Sequence, residues 1–113
     1  MSGAGVHHWW IQRVTSVALI PLSGWFLVSM LALPSHDYTT VVTWLAQKWT
    51  AVVLSVFIAI AAWHSQLGVQ MVLEDYVRGR AVTVSMTLSR LAHTFVAVAA
   101  ILAVLRMAFG AFA

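Results

Sequence analysis

The chain has 113 residues, of which 62% are hydrophobic and only 8% charged, with a net charge of +3, six Trp and no Cys. Its mean hydropathy is +0.92. A soluble domain carries about 25% charged and roughly 45–50% apolar residues, so these values exclude a disordered chain, a disulfide-stapled secreted module, a cysteine-ligated metal centre and an ordinary soluble enzyme. What remains is a single all-α integral membrane domain spanning residues 1–113, with membrane lipid as its solvent. The basic excess then reads as a topology signal and not as a nucleic-acid surface.

Met1 to Gln12 lacks the basic start of a cleavable signal peptide and the character of a mitochondrial transit peptide. Val6-His7-His8-Trp9-Trp10 reads as interfacial. From Val14 to His36 the chain holds no Asp, Glu, Lys or Arg. At about 1.5 Å per residue this run exceeds the roughly 30 Å hydrocarbon core, and it predicts a first span over 14–33. Pro21 is tolerated inside such a helix. Pro34-Ser35-His36-Asp37 ends the span and begins a short polar loop. Trp44 and Trp49 suit an aromatic belt, and Lys48-Trp49 marks the next membrane crossing. A second charge-free run, from Trp49 to Leu73, predicts a span over 49–74. Arg78-Gly79-Arg80 is the turn that follows, and a polar linker leads to a third span over 86–110. Arg90 and Arg106 fall near the ends of that span, where long side chains snorkel to the headgroups. Arg13, Arg78, Arg80 and Arg90 share one side against Lys48 and Arg106 on the other, which predicts a cytoplasmic N-terminus and an external C-terminus.

The chemistry concentrates on the second span. At about 100° per residue, His64, Gly68, Met71 and Asp75 lie at roughly 0°, 40°, 340° and 20°, one stripe of the helix. An ionisable residue well inside a span needs a function or a firm partner. His64 is therefore open to two readings, a haem axial ligand or a helix–helix hydrogen bond. A haem would need a second ligand. His93 offers one within the chain but is expected to sit too shallow, and a partner subunit is the other source. Gly68, one turn from His64, lets a flat cofactor or a neighbouring backbone come close. Asp75 lies about 16 Å further along at the membrane surface. It could be a polar helix end, although an acid there opposes the helix dipole. With Tyr76 beside it, the pair could also hydrogen-bond a quinone carbonyl. Arg13 reads as a positive-inside anchor or as a cation for a haem propionate or a semiquinone.

Taken together, His64-x3-Gly68-x6-Asp75-Tyr76 on the middle of three helices resembles the small membrane-anchor subunit of succinate dehydrogenase (respiratory complex II), the small subunit of cytochrome b-556. His8-Trp9-Trp10-x-Gln12-Arg13-x-Thr15 is similar to the beginning of that family's first helix, and Glu74-Asp75-Tyr76-Val77 to its most characteristic segment. The resemblance covers nearly the whole chain. It implies half of a heterodimeric, haem-binding helical bundle, a non-catalytic subunit of a succinate:ubiquinone oxidoreductase. The implied partners are a larger cytochrome b anchor subunit, an iron–sulfur subunit and a flavoprotein, in a bacterial inner membrane. Residue by residue it implies that His64 is an axial ligand of a shared haem b. Tyr76 would bond a ubiquinone carbonyl, Asp75 would sit beside it in the quinone pocket, and Arg13 would lie near a haem propionate or that pocket. A fumarate reductase-type or haemless anchor would share the fold. A compact multidrug-type transporter is the alternative from another class, but such proteins usually have four spans and an acid inside the first.

Overall fold

The computed structural model describes residues 3–110, so the extreme ends of the expected 1–113 domain, and any reading of the two termini, lie outside the described residues. Four helices run in order: α1 (Gly3–Ala32), α2 (Tyr38–Ala46), α3 (Lys48–Tyr76) and α4 (Arg80–Phe109). There is no strand among the described residues. Three of the helices, α1, α3 and α4, are long and apolar enough to cross a membrane. Each of about 30 residues reaches roughly 45 Å, beyond the hydrocarbon core of about 30 Å. The three predicted spans are therefore present, and the chain is an all-α, multi-pass membrane protein.

Two predicted boundaries move. The first helix begins at Gly3, not near Val14, and runs unbroken through Pro21. Arg13 is thus a mid-helix residue rather than a residue at its mouth. The third spanning helix begins at Arg80, not at 86, so the expected polar linker shrinks to Val77, Arg78 and Gly79. Ala81-Val82-Thr83-Val84-Ser85 contains no helix breaker, and a segment at the membrane has to satisfy its backbone internally. Gly79 makes so short a turn possible with φ +68° and ψ −145°, a conformation open almost only to glycine. Arg90 consequently sits three turns into α4 and not near its start.

The expected loop after Pro34 is in part a helix. The Asp37 carboxylate accepts the Thr40 backbone N–H at 2.8 Å and caps α2. The Thr40 side chain, the Thr40 N–H and the Ser35 side chain together hold the Asp37 carboxyl below its ordinary range. An N-cap acid followed by Val41, Val42, Leu45 and Ala46 is a readable helix start.

The packing is centred on α3, which contacts α1, α2 and α4; no close backbone approach joins α1 to α4. Alternating chain direction brings the start of α1, the end of α3 and the start of α4 to one end of the bundle. The buried core lies at the other end. Ala51, Leu54 and Val104 are buried there, surrounded by Trp25, Phe26, Leu45, Phe57, Ile58 and Ala108. Trp44 of α2 stacks on Trp25 with centroids 6.0 Å apart and meets Phe26 at 6.1 Å, so the short helix closes that end like a plug. Lys48 adds its ammonium 5.8 Å from the Phe109 ring.

Candidate cofactor-binding site

The open end of the bundle carries the residues singled out in the sequence. One groove between α1 and α3, of about 380 Å³, is lined by Gln12, His64, Ser65, Gly68, Val69, Val72 and Leu73. His64 is half-buried within α3. Its Nδ1 lies 2.8 Å from Oγ1 of Thr15 on α1, the side-chain hydrogen bond that ties these two helices together. Its Nε2 has no hydrogen-bond partner among the described residues. Gly68, one turn on, faces open space: a Cβ built there would meet nothing within 4 Å. The walls beyond are the apolar Val69, Val72 and Leu73. Across the groove, Oε1 of Gln12 is buried without a partner, an acceptor left for something outside the chain.

The predicted stripe is partly redrawn. His64 and Gly68 share the groove, but Met71 lies outside it and is half exposed. Gln12 and Val72 line it instead, and Thr15 stands buried behind His64. The α1 part of this was readable in the sequence: His8, Gln12 and Thr15 recur at i, i+4 and i+7, so they form a polar stripe on one face of that helix. Thr15 is 3% exposed, and this near-complete burial of a hydroxyl marks the stripe as the packed face of α1.

His93 is at the depth of His64, contrary to the expectation that it sits too shallow, because its Nε2 meets Oγ of Ser65, the neighbour of His64, at 3.0 Å. Both of its ring nitrogens are engaged. Nδ1 donates to the Ser89 carbonyl at 2.8 Å, and Nε2 accepts from Ser65. The early start of α4 at Arg80 is what carries His93 this deep. Two further bonds continue that seam between α3 and α4, and a third within α3 extends it to Glu74. Ser89 Oγ donates to Gln66 Oε1 at 2.6 Å, Arg90 Nη2 to Gln70 Oε1 at 3.4 Å, and Gln70 Nε2 to Glu74 Oε1 at 3.2 Å. His93 and Arg90 therefore serve helix pairing in this chain.

Asp75 and Tyr76 form the last turn of α3, and Tyr76 is 82% exposed. Neither side chain makes a hydrogen bond or ion pair with another described residue. They stand about 16 Å from the level of His64, at about 1.5 Å per residue. Arg13 is also exposed. It is two residues, about 200°, from Thr15 and so turns away from the groove. Its guanidinium lies 5.4 Å from the Trp9 ring centroid. The fold thus joins His64 to Gly68, places Asp75 and Tyr76 at the C-terminal end of the same helix, and leaves Arg13 on a different face. Among the described residues, no group of three or more His, Cys, Asp and Glu is placed to hold a bare metal ion.

Comparison with known proteins matches residues 1–106 to a family described as the succinate dehydrogenase/fumarate reductase transmembrane subunit. A succinate dehydrogenase hydrophobic membrane anchor subunit of Rickettsia typhi is 34% identical over 76 residues, covering 67% of this chain and 61% of that protein. The corresponding protein of Rickettsia felis is 35% identical over 74 residues, covering 66% and 62%. A succinate dehydrogenase membrane anchor subunit of Reclinomonas americana is 29% identical over 79 residues, covering 67% and 66%. The chain thus spans about three fifths of the length of the Rickettsia relatives. No solved structure matches.

Proposed function

The chain belongs to the succinate dehydrogenase/fumarate reductase transmembrane subunit family, and on that premise we propose that it is a non-catalytic membrane anchor of a succinate:ubiquinone oxidoreductase. In this reading it holds an iron–sulfur subunit and a flavoprotein at a bacterial inner membrane. It pairs with a larger cytochrome b anchor subunit, shares haem b with it, and supplies part of the ubiquinone site. The N-terminus is cytoplasmic and the C-terminus periplasmic, following the four arginines at the site end against Lys48 and Arg106 at the other. Family membership removes the multidrug-transporter alternative. The names of the curated relatives favour succinate oxidation over the fumarate reductase direction.

The observation that carries the reading is the state of His64. One ring nitrogen is held by Thr15, the other is without a protein partner, and the adjacent Gly68 leaves open space along an apolar wall. An unpartnered imidazole nitrogen beside open space and an apolar wall is what a haem iron would need from this chain, and the residues present fit that group. A b-type haem bound there would supply a one-electron redox centre. His64 would ligate its iron, Gly68 would admit its edge, and Gln12 would offer an acceptor to its surroundings. Tyr76 would donate its phenolic proton to a ubiquinone carbonyl at the membrane surface, with the Asp75 carboxylate beside it. Arg13, on another face of α1, would serve a haem propionate or the quinone pocket only where these extend beyond the groove to its exposed side.

The test uses the assembled complex carrying Tyr76→Phe. Losing one hydrogen bond of about 0.5–1.5 kcal/mol should lower succinate–quinone activity by roughly two- to tenfold. Succinate oxidation with a water-soluble artificial acceptor should stay at the wild-type rate. Wild-type rates in both assays would refute the quinone role.

A further inference from the structure

Thr15 has a role that follows from counting protons around its hydroxyl. Oγ1 lies 2.8 Å from the Ile11 carbonyl oxygen, 3.1 Å from the Gln12 carbonyl oxygen and 2.8 Å from Nδ1 of His64. A threonine hydroxyl has one proton to give and two lone pairs to receive with. Both carbonyls can only accept. If the proton pointed at His64, the close approach to Ile11 would set lone pair against lone pair. The helical threonine rotamer that back-bonds to the i−4 carbonyl is also a favoured one. The proton therefore goes to the backbone of α1, and the bond to His64 is donated by the ring.

We propose that Thr15 is the positioning residue for His64. It accepts Nδ1–H and relays to the Ile11 carbonyl, so the imidazole is locked with its Nε2 lone pair turned to the groove beside Gly68. This rests on the reading of His64 as the haem ligand and adds to it the device that selects which nitrogen binds. A metal-bound imidazole commonly donates its other N–H to a carboxylate, a carbonyl or water, which fixes the tautomer and raises the donor strength of the bound nitrogen. Here a buried hydroxyl fills that place, and a backbone carbonyl anchors it. The arrangement also explains why a hydroxyl is buried to 3% exposure on an apolar helix. Ser16, one residue on, back-bonds to Gln12 in the same manner without reaching α3, so back-bonding alone does not account for Thr15.

The test uses the assembled complex with Thr15→Val, Thr15→Ser and His64→Ala. Thr15→Val keeps the volume and removes the acceptor. It should weaken haem retention by about 10- to 100-fold, the range for loss of such supporting partners. It should also move the low-spin electron paramagnetic resonance signal and raise the haem midpoint potential, because the imidazole becomes a weaker donor. Thr15→Ser should restore all three. Thr15→Val matching wild type, or Thr15→Ser behaving like Thr15→Val, overturns the proposal while leaving His64 as ligand. A haem spectrum unchanged by His64→Ala overturns the haem reading and the proposal with it. A further readout does not depend on assembly of the variants. In wild-type complex depleted of haem and labelled with ¹⁵N-histidine, His64 should show a protonated Nδ1 and an unprotonated Nε2. The opposite tautomer overturns the proposal.

Discussion

His93 offers the sharpest test of how the structure divides labour between its two deep imidazoles. Its Nδ1 bond to Ser89 is local to α4, so the link between helices is the bond from Ser65 to Nε2 at 3.0 Å. Interhelical hydrogen bonds in membranes average about 0.6 kcal/mol and reach about 1.7 kcal/mol. With RT near 0.59 kcal/mol, that is roughly a 3- to 18-fold change in the equilibrium between paired and separated helices. A double-mutant cycle of His93→Leu and Ser65→Ala isolates this bond. Each single variant should lose stability, and the double variant should lose less than their sum by about 0.6–1.7 kcal/mol. Detergent-driven unfolding of the chain in mixed micelles, followed by the fluorescence of its six Trp, measures all four corners. In the assembled complex, His93→Leu should leave the haem absorption spectrum as in wild type, since neither nitrogen of His93 is available to iron. A coupling energy of zero together with loss of the low-spin haem spectrum in His93→Leu would refute the clamp and make His93 a ligand.

Three further outcomes follow from single positions. Gly79→Ala should destabilise the turn between α3 and α4 by about 1–3 kcal/mol, seen in the same unfolding assay. Nothing lies within 4 Å of the added methyl, so the cost is conformational and not steric. Ala51→Leu should cost about 1–3 kcal/mol by overpacking, because Ala51 is 0% exposed beneath the aromatic cluster. Asp37 has a depressed folded pKa, so its capping contribution is complete above the ordinary aspartate value and fades only as pH falls through the lower folded value. Protection of the Thr40 amide, its exchange relative to an unstructured amide at the same pH, should therefore hold through mildly acidic pH and fall below the ordinary carboxylate range, whereas Asp37→Ala should show low protection throughout.

The spans could be read from the sequence because the charges are few. The two long runs without Asp, Glu, Lys or Arg can hardly be anything but membrane crossings. Boundaries were harder, since charge marks where lipid ends and not where a helix ends. Gly3 to Arg13 and Arg80 to Ser85 continue as helix past the predicted limits, through polar and aromatic residues that the interface accommodates. The short α2 was hidden because Ser35, His36 and Asp37 look like a loop, and only the capping role of Asp37 distinguishes a loop from a helix start. At the site, helical periodicity joined His64 to Gly68 correctly. It also assigned Met71 to the same stripe and could not say which neighbour fills the other side. That depends on how α1 docks, and α1 is held to α3 by the Thr15–His64 bond together with the aromatic contacts at the far end. Arg13 was ambiguous for the same reason: its role depends on the rotation of α1, and that rotation puts it opposite Thr15.

The packed core and the candidate site sit at opposite ends of this bundle, and the separation has a physical logic. The end with Trp25, Phe26, Trp44, Ala51, Leu54 and Val104 is closed by side chains of this chain alone. At the other end, Trp9, Trp10, Val14, Trp63, Val72 and Tyr76 are about half exposed or more, and the helices meet through Thr15–His64 and the seam of hydrogen bonds from His93 to Glu74. Directional bonds hold helices at a fixed spacing without filling the space between them, whereas a packed apolar core would have filled it. The open end can then accept a flat cofactor and a second subunit without disturbing the part that keeps the chain folded. Of the two imidazoles on α3 and α4, only His64 has a ring nitrogen without a partner. If the proposed haem takes a second protein ligand, that ligand would come from another subunit, and haem binding and subunit pairing would be one event: loss of His64 should weaken both, and loss of the aromatic plug should weaken the fold before either.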